Sequence, residues 1–421
     1  MSGPGHVAAP PGGWRVPLVK PDVPAFAEVA GEIETAIAAG MLTKGPALQR
    51  LEADAARLLG VRHVVGVANC TVGLALAVKS LARVRAQAAG GCVAPTTCPL
   101  PAAARGPAPG GADEVIVPSF IFLAAPAAIV WAGLRPVFVE VDPRSFTIDP
   151  QAVAAAVGGR TAAILACHTF GCPCDMPALE RIAAQAGVPL LVDAAHGLGA
   201  AVADRPVGSG GLAQVFSLSP TKLVVSGEGG LVATSCDCLA AALKVAREYG
   251  NDGAYGCSLP GLNARLPEIS AILARASLAR LDAVAARRRA AAEAYRAALS
   301  GVPGLGFQEI PPAATSSWKD FVVAVDPERC GIDRDALRAR LADRGIETRA
   351  YYSPAAHQME AFRGFLEPGR RLPVTERLAA TLVALPMGVH VTPGVARGVA
   401  DEIRAALPVA QVASGFREPV A

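Results

Sequence analysis

The chain has 421 residues, 52% of them hydrophobic by a broad count, so it can bury a substantial core and should hold more than one domain. A formal net charge of +3 is too small to argue for nucleic acid or a membrane surface as partner. No apolar run approaches the roughly 20 residues that span a bilayer, and the first residues lack the basic start and apolar core of a secretory signal, which points to the cytoplasm.

Residues 1–20 are rich in Gly and Pro and read as a flexible arm. Helical spacing follows over 25–39 and 46–59. The run Gly66-Val-Ala-Asn69-Cys70-Thr71-Val-Gly73 reads as a strand end entering an apolar helix. Free backbone N–H groups at such a helix start bind an anion, and Thr71 adds a hydroxyl; a capped helix without a ligand is the plainer alternative. Residues 86–112 are Ala, Gly, Pro, Cys and Thr in near low-complexity order, with almost no bulky apolar side chains. They are expected to form a disordered insert, the sharper alternative being a lid over an active site.

Strands and helices alternate to about residue 240, the signature of an α/β unit with a mostly parallel sheet and helices on both faces. Val188-Pro-Leu-Leu-Val-Asp193 reads as a buried parallel strand ending in a carboxylate, where open α/β sheets bind ligands; Asp193 as the cap of the next turn is the alternative. Phe216-Ser-Leu-Ser-Pro-Thr-Lys222 sets one lysine in a turn of small residues before a glycine cluster and the strand-like run Leu231-Val-Ala-Thr. A lysine among small apolar neighbours is hard to solvate as an ammonium, and its amine becomes a usable nucleophile toward carbonyl compounds, pyridoxal phosphate included. A surface-loop lysine between two strands fits the local pattern equally well. Residues 265–299 have helical spacing and read as a long link into a second, α+β unit, with a strand at 320–325 and a helix at 333–344. The expected division is a large domain over 21–285 and a small one over 286–421.

Ten cysteines invite a metal or disulfide reading. Cys172/Cys174 and Cys236/Cys238 have one intervening residue each, whereas zinc sites usually show two to four, so incidental thiols and no metal are expected. A Cys92–Cys98 disulfide would be an oxidation artefact.

Six ordered blocks resemble the DegT/StrS family of sugar aminotransferases, fold-type I pyridoxal enzymes, from about residue 30 to 409. Besides the Asp193 and Lys222 segments, Val115-Ile-Val-Pro-Ser-Phe-Ile-Phe122 is similar to the family's VIVPSFTFVAT, and residues 135–150 to PVFVDVDPDTYNIDP. His168-Thr-Phe-Gly-Cys-Pro-Cys-Asp-Met176 resembles HLYGQPADM, and Gly261-Leu-Asn263-Ala-Arg265-Leu-Pro-Glu268 resembles GYNYRMSE.

The resemblance implies a seven-stranded-type, mostly parallel sheet flanked by helices, with a smaller α+β C-terminal domain. It implies that Lys222 carries pyridoxal 5'-phosphate covalently and moves the proton, and that Asp193 pairs with the ring nitrogen. His196 falls near the phenolic oxygen, Phe122 on the ring face, and Ser217 at the phosphate with Cys70 and Thr71. Cys70 stands where the family usually has Gly. Asn263 is implied to reach the phosphate in the neighbouring subunit of a homodimer, and Arg265 to face a nucleotide sugar. Tyr351, Tyr352 and His357 resemble the YYxPxH block, giving His357 either a substrate contact or an ordinary structural place.

Some family members are dehydratases with His at the lysine position; Lys222 favours transamination. The reading is therefore transfer of an amino group, typically from glutamate, to a keto group of a nucleotide-linked sugar, with a keto-cyclitol as alternative acceptor. A catalytically idle pyridoxal-binding regulator is the alternative from another class, against which Lys222, Asp193, Ser217 and Asn263 argue together. Desulfurase chemistry lacks a cysteine in a suitable loop. High Ala, Arg and Gly usage points toward an antibiotic or other secondary-metabolite pathway.

Overall fold

The computed structural model describes residues 13–89, 99–100, 104, 111–253 and 255–408. The expectations for residues 1–12, for most of the 86–112 insert and for Cys92 and Cys98 lie outside them.

The large unit is built on β1 (His63–Val67), β2 (Glu114–Pro118), β3 (Arg135–Val139), β4 (Thr161–Cys167) and β5 (Leu190–Asp193). A short hairpin, β6 (Ala201–Val202) and β7 (Arg205–Pro206), leads to β8 (Ala213–Ser217) and β9 (Gly230–Thr234). Seven strands pair in the order β1-β9-β8-β5-β4-β2-β3. Only β9 runs against its neighbours, β1 and β8; the β8-β5-β4-β2-β3 pairs are parallel.

Helices α1 (Phe26–Ala38) and α2 (Pro46–Leu59) precede the sheet, and α3 (Cys70–Ala89), α4 (Ala124–Trp131), α5 (Pro150–Ala156), α6 (Met176–Ala186) and α7 (Asp237–Ala246) lie along it. The parallel strands are apolar on both faces because helices cover both. On one face Val115, Val117, Leu165 and Leu191 meet Leu74, Ala128 and Leu243; on the other, Ile116, Ile164 and Val192 meet Val153, Leu179 and Ala183. Asp149 and Asp175 cap α5 and α6 by accepting from Gln151 N and Ala178 N. Two described residues of the insert, Leu100 and Ala104, belong to this core.

Next come α8 (Glu268–Leu278) and α9 (Leu281–Leu299), the latter running through residue 286. The small unit holds β10 (Leu305–Phe307), β11 (Ala314–Thr315), β12 (Phe321–Val325), α10 (Pro327–Cys330), α11 (Arg334–Asp343), α12 (Pro373–Thr381), β13 (Leu382–Leu385) and α13 (Pro393–Ala406). Strands β10-β12-β13 form an antiparallel sheet, and β11 joins the β6-β7 hairpin of the large unit. Within the segment read as an arm, Val16 bridges Ile346 and Leu18 is buried, its N–H donating to Glu347 Oε2. Docking there satisfies backbone groups that a free arm leaves to water.

Glu268 explains the end of the 261–268 block. Its buried carboxylate accepts from Gly45 N (2.8 Å), Ala47 N and Leu48 N (3.1 Å), so it caps α2 from a distant part of the chain. Among the described residues, no helix is long and apolar enough to cross a membrane, and no group of His, Cys, Asp and Glu is set to hold a metal.

Candidate active site

The carboxyl ends of β4, β5 and β8 come together where Cys167 pairs with Asp193 and Asp193 with Val215. One register further, Ser217 pairs with Gly230, and Gly230 with Val67 at the end of β1. Parallel pairing of β4, β5 and β8, with the antiparallel β9 between β8 and β1, therefore gathers Asp193, Ser217 and the start of α3 at one end of the strands.

Asp193 is buried, and its Oδ1 accepts from Ala195 N at 3.0 Å, with Cys70 Sγ at 4.0 Å. Burial pushes this carboxyl above its ordinary value, opposed by the Ala195 N–H and by the charge of Lys222. Burial and the Asp193 charge push the Cys70 thiol well above its usual range, so at neutral pH it is a packed S–H and not a nucleophile. Lys222 lies in the bend after β8, half-buried, its N–H donating to Ser219 O at 3.0 Å.

The start of α3 carries a side-chain cap, the feature of the plainer reading, with two hydroxyl residues close to it. Asn69 Oδ1 accepts from Val72 N (2.9 Å), Thr71 is exposed, and Ser217 is buried beside them with its Oγ taking Ser219 N–H at 3.4 Å. Gly230 permits this approach, since a Cβ there would lie 2.8 Å from both Asn69 C and Cys70 N. His196 turns back on the half-buried side, its Nδ1 buried without a hydrogen-bond partner. Burial pulls His196 well below its ordinary value, and the charges of Lys222, Lys319 and Arg288 push the same way.

These groups fit pyridoxal phosphate. Asp193 offers a buried acceptor for a ring N–H, the α3 N-terminus with Thr71 and Ser217 a cradle for phosphate, Lys222 an amine for the aldehyde, and His196 an open nitrogen for the phenolic oxygen. Phe122 is 56% exposed, its ring 6.4 Å from that of Tyr352, so it has a face free for stacking.

Three further expected residues have partners of their own, although the 263–265 segment runs beside the end of β1, where Arg265 bridges Val67 and Ala68 N donates to Ala264 O. Asn263 is exposed in a strand bridge with Glu248. Arg265 is half-buried, paired with Glu248 (3.3 Å) and set over the Tyr249 ring (5.6 Å), so its charge is already engaged. His357 is buried, with Nδ1 2.6 Å from Ser119 Oγ and Nε2 3.6 Å from Glu376 Oε1. Burial lowers its ordinary value against the pull of Glu376. Its ring is used to fasten the end of β2 to the C-terminal half.

Sequence reading singled out Tyr352, there with a core aromatic as the alternative, but missed the other residues behind the site. Phe170 stacks on Tyr352 (5.4 Å, 16°), and Phe120 packs on the edges of both rings. Ser317 Oγ donates to His196 O at 2.6 Å, and next to it lies the buried Lys319–Asp320 pair. Two opposite charges directly ahead of the apolar run Phe-Val-Val-Ala-Val were the signal that could have found them.

Fold and site together define a fold-type I, pyridoxal-phosphate-dependent aminotransferase. The chain belongs to the DegT/DnrJ/EryC1/StrS aminotransferase family, whose sequence model matches residues 26–404. It is 34% identical to a dTDP-3-amino-3,4,6-trideoxy-alpha-D-glucose transaminase of Streptomyces venezuelae, over 90% of this chain and 93% of that protein. It is 39% identical to the erythromycin biosynthesis sensory transduction protein EryC1 of Saccharopolyspora erythraea, over 71% of this chain and 79% of that protein. Among solved structures, DesI with its TDP-sugar product superposes with a TM-score of 0.81 at 35% identity, covering 96% of this chain and 94% of that one.

Proposed function

We propose that this aminotransferase moves an amino group from an amino acid, with glutamate as the expected donor, to a keto group of a nucleotide-linked sugar in a secondary-metabolite pathway. The observation that carries the reading is the convergence of Lys222, buried Asp193 and the α3 N-terminus at the carboxyl ends of β5 and β8. The relatives' names, a dTDP-sugar transaminase and a structure holding a TDP-sugar product, support the acceptor class.

When bound, pyridoxal phosphate supplies a ring that accepts the electron pair left when a proton departs from the amine-bearing carbon. Asp193 holds the proton on the ring nitrogen, and its burial makes that ion pair strong. Lys222 would supply the amine that holds the cofactor and would act as the base for the proton leaving the substrate carbon. The α3 N–H groups, Thr71 and Ser217 would hold the phosphate, and the exposed ring of Phe122 would be free to stack on the cofactor.

The active form on this reading is a homodimer in which Asn263 completes the partner's phosphate site. Its support is a polar loop left exposed by its own chain, with Tyr249 (55%), Leu262 (43%), Met41 (46%) and Leu42 (51%) exposed around it. The test is glutamate-dependent formation of 2-oxoglutarate with keto-sugar nucleotides. A visible absorption band bleached by glutamate, with amino sugar formed, is the expected result.

A second reading, a pyridoxal-binding regulator without turnover, takes its support from the relative whose name includes sensory transduction. It requires the band to persist unchanged in glutamate.

A further inference from the structure

One segment of the C-terminal half reaches into the turn that carries Asp193. Ser317 is 1% exposed, and its Oγ donates to His196 O at 2.6 Å, 121 residues away in the chain. The turn itself is short. Asp193 Oδ1 accepts from Ala195 N at 3.0 Å, and Gly197 N donates to Ala194 O at 2.7 Å. The setting of the carboxylate therefore follows the conformation of residues 194–197, and Ser317 holds that run from outside.

The same serine closes a circuit. Its N–H donates to Gly171 O (3.2 Å), Gly171 N to His168 O (3.2 Å), and His168 N to Asp193 O (3.1 Å). The hydroxyl then returns to the turn at His196. The end of β4, the lead into β12 and the Asp193 turn are thus tied together by main-chain groups and one side chain.

Gly171 makes room for that side chain. Its φ is +98°, and a Cβ there would fall 2.1 Å from Ser317 Oγ. On either side of the contact, Phe170 (φ +59°) and Trp318 (φ +49°) are left-handed, a conformation that bulky residues keep only where their surroundings impose it. Arg288 Nη1 on α9 backs the segment by donating to Trp318 O (3.2 Å) and Lys319 O (2.8 Å).

We propose that Ser317 is a positioning residue of the amine-transfer site, whose hydroxyl, through the His196 carbonyl, sets the turn that presents the Asp193 carboxylate to the cofactor ring. The task of that carboxylate rests on the aminotransferase reading; the hold of Ser317 on the turn does not. Because Ser317 acts through the main chain of this turn, its loss should be felt at the ring nitrogen and not at the phosphate, which is assigned to the α3 start with Thr71 and Ser217.

The experiment titrates the full chain at equilibrium with pyridoxal phosphate and with its deaza analogue, in which carbon replaces the ring nitrogen. Both ligands keep the aldehyde and the phosphate, but the analogue gives Asp193 nothing to pair with. Wild type, Ser317→Ala and Ser317→Cys are compared, with circular dichroism to show that each is folded. The cysteine fills the space with a weak donor and keeps the test decisive if the alanine variant does not fold.

The wild type is expected to prefer pyridoxal phosphate. Each variant should lose about fivefold or more of that preference, the worth of one buried hydrogen bond, while holding the deaza analogue within about twofold of wild type. An unchanged preference in a folded variant, or equal weakening toward both ligands, overturns the proposal. A wild type that turns over with glutamate yet binds both ligands alike also overturns it and leaves the aminotransferase reading standing. Loss of preference in the variants, without any glutamate-dependent turnover in the wild type, sustains the hold of Ser317 and refutes the aminotransferase reading instead.

Discussion

His168, just past β4, makes the acid sensitivity of the fold measurable. Its ring is buried, Nδ1 accepts from Cys174 N at 3.1 Å, and Nε2 faces Gln214 Oε1 at 3.3 Å. The neutral ring with the proton on Nε2 satisfies both contacts, so a second proton on Nδ1 must break the Cys174 bond and leave a buried charge. Burial pulls His168 down to about 4, with Gln214 opposing. An unfolded histidine titrates near 6.5, so the native state binds fewer protons than the unfolded one between these values. The stabilisation is therefore complete above about pH 6.5 and is lost as pH falls toward 4, a loss of about 3 kcal/mol at 1.36 kcal/mol per unit. His196, also depressed, acts in the same direction. In His168→Asn the Oδ1 can still accept from Cys174 N while the titration disappears; His196 and the carboxylates remain in both proteins and cancel. Urea unfolding at pH 7, 6, 5 and 4 should show the wild type losing about 3 kcal/mol more than the variant. Parallel pH profiles would refute the argument, whatever the offset between them at pH 7.

Lys222→Ala should lower transamination by about 10³-fold or more, since nucleophile and proton carrier go together, while far-UV circular dichroism stays unchanged; a variant with full turnover removes Lys222 from its assigned role. Gly230→Ala drives a methyl against Asn69 and Cys70, and is expected to weaken cofactor binding about 10-fold or more by equilibrium titration, with wild-type affinity counting against the cradle. Glu268→Gln should cost about 2 kcal/mol in urea unfolding, because a neutral amide with one acceptor oxygen replaces a carboxylate serving three N–H groups. Mixing inactive Lys222→Ala with impaired Asn263→Ala chains should restore part of the activity, because some mixed dimers hold one site free of both lesions; proven exchange without recovery means Asn263 serves its own chain.

The elements nearest the chemistry were legible because their signals are local. Asp193 ends a short apolar strand, Asn69 precedes a long apolar helix, and Lys222 sits between two β-type runs, so each could be assigned from a few neighbouring residues. Parallel pairing of consecutive apolar strands also follows from alternation with helices. What periodicity does not carry is which distant groups meet. Glu268 caps a helix 221 residues earlier, and the His357 ring meets Ser119, 238 residues away. Arg265 likewise turns to Glu248 and Tyr249. The meeting of Ser317 with His196, 121 residues apart, depends on packing between the two units that no local pattern encodes. Local propensity and hydrophobic spacing therefore determined the strands and the helices, while the roles expected of Lys222 and Asp193 came from the ordered motif blocks that resemble the family. Only tertiary packing decided their electrostatic surroundings, because burial and through-space charge are properties of neighbours in space.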